Sequence, residues 1–99
     1  MADPTRPTGE RPSAIVLDPA DNVAVALRTL AEGEEIVVEG APLRVATAIP
    51  TGHKLARRAI AAGGPVLKYN ETIGVASAPI AAGEHVHVQN VRSARLPGR

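Results

Sequence analysis

The hydrophobic residues of this chain fall into short runs that are separated by turn-forming residues. The runs at residues 14–17, 36–38, 66–69 and 73–76 are mostly aliphatic and rich in β-branched side chains. Asp-Pro, Glu-Gly and Asn-Glu pairs follow the first three of these runs. Short apolar runs bounded by turns are typical of strands. The pattern therefore predicts a mainly β domain.

One segment has helical spacing instead. Val23, Leu27 and Leu30 lie at positions i, i+4 and i+7, so a helix would present them as one apolar stripe. Asp21 or Asn22 stands where an N-cap is expected. We therefore predict one short helix here, within an otherwise β fold.

The segment at residues 53–60 fits either type of structure. Its Lys, Leu, Ala and Arg residues suit a helix as readily as a strand. The short length of the segment and its flanking glycines favour a strand slightly.

A weak repeat marks the turns themselves. Residues 30–33, 60–63 and 80–83 each place an aliphatic side chain three positions before a glycine, and an apolar strand follows each copy. Glycine suits the positive φ that such turns often require. The copies are unevenly spaced, which indicates similar corners rather than a solenoid.

The ends of the chain differ from its centre. Residues 1–13 are rich in proline and poor in apolar side chains, which predicts a disordered arm. Residues 92–99 are basic and contain Pro-Gly, which predicts a basic tail. The predicted domain is therefore residues 14–91 of a 99-residue chain.

The composition indicates a core of limited stability. Tyr69 is the only aromatic residue, so we expect it to be the single ring of an otherwise aliphatic core. A domain of roughly 80 residues buries only about 60% of its unfolded surface. There is no cysteine for a disulfide or a Cys-based zinc site. A partner subunit or a second copy of the chain is expected for that reason.

Charge and hydropathy exclude two classes of partner. The formal net charge is +1, from eleven basic and ten acidic residues, and no aromatic residues interleave with the basic ones. These features argue against nucleic-acid binding. No apolar run approaches the roughly 20 residues that span a bilayer, and the N-terminus has no apolar signal region. We therefore predict a cytoplasmic protein without a membrane association.

Three histidines and one lysine concentrate the candidate chemistry. On a strand, His85 and His87 would point to the same face about 7 Å apart, and Gln89 would come next along that face. His53, from a loop, would be a third ligand for iron, manganese or zinc. Lys54 follows a glycine turn and would bind a carboxylate. Two alternatives stay open: a half-exposed strand of alternating His and Val, and a solvated turn lysine.

A second group of candidates, Lys68, Tyr69 and Glu71, surrounds a predicted turn. These three residues and Gln89 are the candidate substrate-binding residues. The pattern alone favours solvated positions for Lys68 and Glu71 and a core position for Tyr69, rather than a catalytic role.

Four segments, at residues 21–28, 49–54, 68–74 and 82–90, resemble in order the SAF domain of the altronate/galactarate dehydratase family. The resemblance covers nearly the whole predicted domain. It implies a β-clip fold in which residues 53–60 are extended.

This resemblance also implies a function. Domains of this family form the N-terminal part of long sugar-acid dehydratases, or separate small subunits beside a large catalytic one, as in sulfolactate sulfo-lyases. Because the chain ends where the family's linker would begin, we expect a free-standing small subunit that is inactive alone. The reaction would eliminate water or sulfite from a sugar acid or a related 2-hydroxy acid.

The resemblance further implies a divalent metal, iron or manganese, at the interface with the large subunit. His53, Lys54, His85 and His87 would then be the catalytic residues, and the three histidines would ligate the metal. The alternative class is a non-catalytic SAF module that binds a sugar-like ligand or a protein partner. The histidines and Lys54 favour the lyase, since a generic SAF module does not need them.

Overall fold

The computed structural model of the chain describes residues 12–93. All but residues 12–13 of the predicted arm, and all but residues 92–93 of the predicted tail, lie outside this range. Within it the polypeptide forms antiparallel strands connected by tight turns. The prediction of a small, mainly β domain is confirmed.

Nine strands form three sheets within the described residues. They are β1 (Ala14–Ile15), β2 (Val23–Ala26), β3 (Glu35–Val38), β4 (Ala41–Arg44), β5 (Lys54–Ala56), β6 (Pro65–Lys68), β7 (Glu71–Ala76), β8 (His85–Val86) and β9 (Val91–Arg92). The strand orders are β1-β2-β5-β8 in the first sheet, β3-β4 in the second and β6-β7-β9 in the third.

The predicted helix is wrong, because its first half is strand β2. This strand pairs with β1 on one side and with β5 on the other. Val23, Ala24 and Ala26 are all buried, so both faces of the strand are covered. A strand buried on both faces has a continuous apolar sequence, which coincidentally matched a helical stripe.

No membrane-spanning helix occurs within residues 12–93.

The segment after His53 is extended, as the family resemblance implied. Strand β5 lies in the middle of the first sheet, between β2 and β8. Leu55 and Ala56 are fully buried there. This position fixes both neighbouring strands relative to β5. One of these neighbours, β8, begins with His85.

The turns of the repeat, in which an aliphatic residue lies three positions before a glycine, are called glycine corners. The described residues contain four of them, one more than the sequence repeat predicted. The additional corner is at residues 49–52. Gly33, Gly52, Gly63 and Gly83 have φ between 81° and 86°, as the third residue of a type II turn requires. The aliphatic anchors pair across isolated bridges, Leu30 with Ile49 and Ile60 with Ile80.

These corners divide the domain into two similar halves. Residues 30–56 run through a corner, the β3–β4 hairpin, a second corner and β5. Residues 60–86 repeat that order with the β6–β7 hairpin and end in β8. Each half contributes one pair of anchors to one of two buried clusters. Antiparallel pairing of β5 with β8 joins the halves.

Tyr69 does not lie in the core, contrary to the prediction. Its side chain is 64% exposed, at the tip of the β6–β7 hairpin. Tyr69 and Asn70 both have positive φ, 57° and 59°, which defines a two-residue turn of type I′. The core is therefore wholly aliphatic among the described residues.

Candidate metal centre

The pairing of β5 with β8 brings the three histidines together. His53 directly precedes β5, and His85 begins β8 opposite Leu55. Strand β8 ends at Val86, so His87 lies just beyond it instead of on a longer predicted strand. The three rings nevertheless converge, and one nitrogen from each lies within 4.8 Å of the others.

The three imidazole rings are nearly parallel, with their centroids at the corners of a triangle. Ring centroids are 4.3 Å apart for His53 and His87, 5.1 Å for His53 and His85, and 5.2 Å for His85 and His87. The ring planes are inclined by 16–24° to one another. Nδ1 of His53 and Nε2 of His85 are 2.9 Å apart, which is a hydrogen bond in which one ring donates and the other accepts.

Two residues that the sequence analysis did not select hold the backbone of this segment. The Asn90 side chain accepts from the His87 amide at 2.9 Å and donates to the His85 carbonyl at 2.7 Å. The Thr47 hydroxyl accepts from the His85 amide at 2.9 Å. Asn90 stood inside a segment that resembled the family, whereas no local signal pointed to Thr47. Both are positioning residues for the imidazoles.

Gln89, a predicted substrate-binding residue, lies beside His85. Its Nε2 is 3.3 Å from Nδ1 of His85. If this amide donates, His85 carries its proton on Nε2, which it then donates to His53. With the amide reversed, Gln89 accepts from Nδ1 and leaves Nε2 of His85 free to ligate. The orientation of Gln89 therefore selects the tautomer of His85.

The cluster disfavours protonation of His85. Partial burial lowers the pKa of His85, and the neighbouring His53, His87 and Lys54 lower it further. Burial also lowers the pKa of Lys54, with a smaller contribution from repulsion by Lys68. A neutral His85 ring keeps a lone pair available for a metal or a proton.

The chemistry of this donor set fits a divalent metal. Three neutral imidazoles suit iron, manganese or zinc. Nitrogens bound to one tetrahedral metal at about 2.1 Å are about 3.4 Å apart, so ring nitrogens that lie within 4.8 Å of one another would have to approach by up to roughly 1.4 Å. All three rings are only half-buried, which leaves room for this adjustment.

The other predicted site residues are not gathered in the same way. Within residues 12–93, neither Tyr69 nor Glu71 makes a hydrogen bond or ring contact with an imidazole, and both side chains are exposed. Lys68 lies near enough to repel Lys54. The structure therefore brings together His53, Lys54, His85, His87 and Gln89. Substrate contacts by Lys68, Tyr69, Glu71 and Gln89 stay predictions.

Fold and site together define a small β domain with an imidazole cluster beside the β5–β8 pairing that joins its two similar halves. The profile of the altronate/galactarate dehydratase SAF domain matches residues 12–94. The chain belongs to this family.

Named relatives place this SAF module among lyases. Altronate dehydratase of Escherichia coli (strain K12) is 49% identical over 73 residues, which cover 74% of this chain and 15% of that protein. Altronate dehydratase of Bacillus subtilis (strain 168) is 38% identical over 81 residues, or 82% of this chain and 16% of that protein. The (2R)-sulfolactate sulfo-lyase subunit alpha of Chromohalobacter salexigens is 51% identical over 51 residues, or 52% of this chain and 54% of that protein. The chain thus spans less than a fifth of each dehydratase and about half of the sulfo-lyase subunit.

Proposed function

We propose that the chain is the small subunit of a metal-dependent lyase, completed by a large catalytic subunit. The enzyme would eliminate water or sulfite from a sugar acid or a related 2-hydroxy acid. Membership of the altronate/galactarate dehydratase SAF family carries this proposal. The small-subunit role is supported by similarity to two proteins named sulfo-lyase subunit alpha, one of which aligns over 70% of its length.

Elimination of this kind must remove a proton next to a carboxylate, and such a proton is weakly acidic. An iron or manganese ion held by His53, His85 and His87 would supply electrostatic stabilisation of the negative charge that develops. A positioned base must also accept the proton. The imidazole cluster suits the first need, because the lowered pKa of His85 keeps a nitrogen lone pair on this ring free for a metal near neutral pH. A histidine that ligates the metal is not free to act as the base, which the large subunit would supply.

Lys54 would hold the substrate carboxylate. It lies next to His53 in the sequence and is half-buried at the start of β5. An ammonium group in a partly desolvated position attracts a carboxylate more strongly than one in open water. Gln89 would set the tautomer of His85, so its role is positioning rather than contact with the reacting atoms.

The test is affinity purification of the tagged chain from its native extract, followed by an assay for 2-keto acid release. Altronate, galactarate and sulfolactate are the substrates to compare. We expect a larger protein to co-purify, with activity that a chelator removes and iron or manganese restores. The tagged chain by itself should be inactive. Recovery of the chain alone, inert toward all three acids and metal-free, would favour the non-catalytic module instead.

A further inference from the structure

Two open clefts flank the imidazole cluster. The first has a volume of about 300 Å³ and is lined by Lys54, His87, Arg92 and apolar side chains that include Ile73 and Val88. The second has a volume of about 360 Å³ and is lined by polar residues that include Thr47, Glu84, His85 and Gln89. One histidine thus faces each cleft.

The two clefts differ in charge. Among residues 12–93, Lys54 and Arg92 line the first cleft and no carboxylate side chain does. Within the same range, Glu84 lines the second cleft, and neither a lysine nor an arginine does. An anionic group is therefore attracted to the first cleft and repelled from the second.

The two cations of the first cleft have no partner within the part of the chain that the structure describes. Neither Lys54 nor Arg92 forms an ion pair or a side-chain hydrogen bond there; the ion pair in that part of the chain joins Arg28 and Glu34. Lys54 is also repelled by Lys68. A bound anion would offset this repulsion and accept hydrogen bonds from Lys54 and Arg92.

The apolar wall of this cleft strengthens the argument. Ile73 is 42% exposed and Val88 is 82% exposed, although both are aliphatic. A short carbon chain covering these side chains would remove water from the cleft. Charge pairing with Lys54 and Arg92 gains strength as water leaves.

We propose that the first cleft binds the anionic end of a small organic acid, a carboxylate or a sulfonate, and that Arg92 determines this specificity together with Lys54. The hydroxyl-bearing remainder of the molecule would extend past the imidazoles toward the second cleft. The assignment rests on the proposed lyase function for the identity of the acid, and it adds Arg92 as a specificity-determining residue.

Calorimetric titration of the full chain tests this assignment. The ligands are galactonate, which is a monocarboxylate, isethionate (2-hydroxyethanesulfonate), which is a sulfonate without a carboxylate, and galactitol, a neutral polyol with the same carbon skeleton as galactonate. Ionic strength is held constant, because salt screens exposed charges. We expect saturable binding of one or both acids and much weaker binding of galactitol. The acid that binds identifies carboxylate or sulfonate as the preferred group.

Arg92→Gln should weaken binding of the preferred acid by about tenfold or more, as expected when a charged hydrogen bond is lost. The Arg92 side chain is exposed at the edge strand β9, so this variant should fold normally. Lys54→Met should have a similar effect. Arg44→Gln, on exposed strand β4, is the matched control and should bind like the natural chain.

The proposal is overturned if the natural chain shows no saturable binding, if galactitol binds as tightly as the acid, or if Arg92→Gln binds normally. These outcomes are separate from a failure of the lyase proposal. Acid binding that depends on Arg92, in a chain whose purified complex releases no keto acid, would leave the anion site standing and refute the lyase. Turnover by a complex that contains Arg92→Gln, with an unchanged KM, would refute the anion site and leave the lyase proposal standing.

Discussion

At the scale of single residues, the imidazoles carry most of the proposed chemistry. Replacing both His85 and His87 with alanine should lower the activity of the reconstituted complex at least a hundredfold, because two of the three proposed metal ligands are removed. The fold should persist, since both side chains are only half-buried and their backbone contacts with Thr47 and Asn90 remain. Steady-state assays and thermal unfolding measure the two effects.

Val37→Ala provides the control for that double variant. Val37 is 52% exposed on β3, in a different sheet from the cluster, so activity should not change. Full activity of the double histidine variant would show that the imidazole cluster has no role in the mechanism.

The lowered pKa of His85 predicts a pH-dependent stability. An unfolded histidine titrates near pH 6.5, whereas folded His85 protonates at a lower pH. Between these two values the unfolded state binds more protons, so the free energy of unfolding falls as the pH drops below about 6.5. Urea unfolding from pH 7.5 down to pH 4.5 measures this loss.

Substitution of His85 isolates its share of the pH dependence. His85→Asn cannot titrate, so its stability should decline less on acidification than that of the natural chain. The carboxylates titrate in both proteins and cancel in the comparison. Parallel curves across the whole range would contradict the assignment of the shift to His85.

At the scale of elements, a comparison of the glycine corners explains why the position after Gly52 can be a histidine. In two corners a glutamate follows the glycine and accepts a hydrogen bond from the amide of the corner's second residue: Glu34 from Ala31 at 2.9 Å and Glu84 from Ala81 at 2.7 Å. In the corner at residues 49–52 the second residue is Pro50, which has no amide hydrogen. No glutamate is needed there, so the position after Gly52 is free to carry His53.

The corners also provide a matched pair of stability tests. Gly63 and Gly83 each follow Ile-Ala-Ala and have φ of 81° and 86°. A Cβ at Gly63 would meet no atom within 4 Å, whereas one at Gly83 would overlap the Arg44 carbonyl oxygen. Gly63→Ala should therefore cost about 1–2 kcal/mol from the left-handed backbone alone. Gly83→Ala should lower the free energy of unfolding by clearly more than Gly63→Ala. Chemical denaturation of both variants measures this difference. Equal losses of stability would disprove the proposed backbone contact.

The same elements show what the sequence pattern can predict. Strands β3, β6 and β7 were predictable because their apolar runs end at recognisable turns. Strand β2 was not, because burial of both faces removed the alternation that marks a strand. The corner at residues 49–52 was predicted as a glycine turn but not as a further copy of the repeat, because Pro-Thr replaces the alanine-containing sequence of the others. Among the site residues, the cluster of His53, His85 and His87 was anticipated from spacing and resemblance.

Contacts between distant parts of the chain lay beyond the reach of local patterns. Thr47 supports His85 from 38 residues away. Arg92 enters the first cleft only because β9 pairs with β7. Tyr69 was misplaced because composition says that an aromatic side chain is usually buried, while the hairpin turn that exposes it is defined by tertiary contacts.

At the scale of the whole molecule, the imidazole cluster lies at the seam between two similar halves. His53 comes from the half at residues 30–56, whereas His85 belongs to the half at residues 60–86 and His87 follows directly after it. The β5–β8 pairing that joins the halves also sets the distance between the rings. Neither half by itself contains the site, so loss of the global fold should abolish it.

Asp21 ties the first loop to the second half of the molecule. Its carboxylate is fully buried and accepts hydrogen bonds from the amides of Tyr69 and Asn70, at 2.9 and 2.7 Å. It also accepts from the Asp18 amide at 3.1 Å. These bonds stabilise the left-handed turn of the β6–β7 hairpin, which is unfavourable for tyrosine.

Asp21→Ala should therefore destabilise the protein by about 2–4 kcal/mol, because buried amides lose their acceptor. Asp18→Ala is the control, since the Asp18 carboxylate has one described bond, to the amide of Ala20 in its own loop, and its loss should cost less than about 1 kcal/mol. Hydrogen exchange at Tyr69 and Asn70 separates the mechanism from general instability. Their amides should exchange faster in the Asp21 variant by a larger factor than those of β2, whereas a uniform increase would mean that Asp21 supports the whole fold rather than this turn.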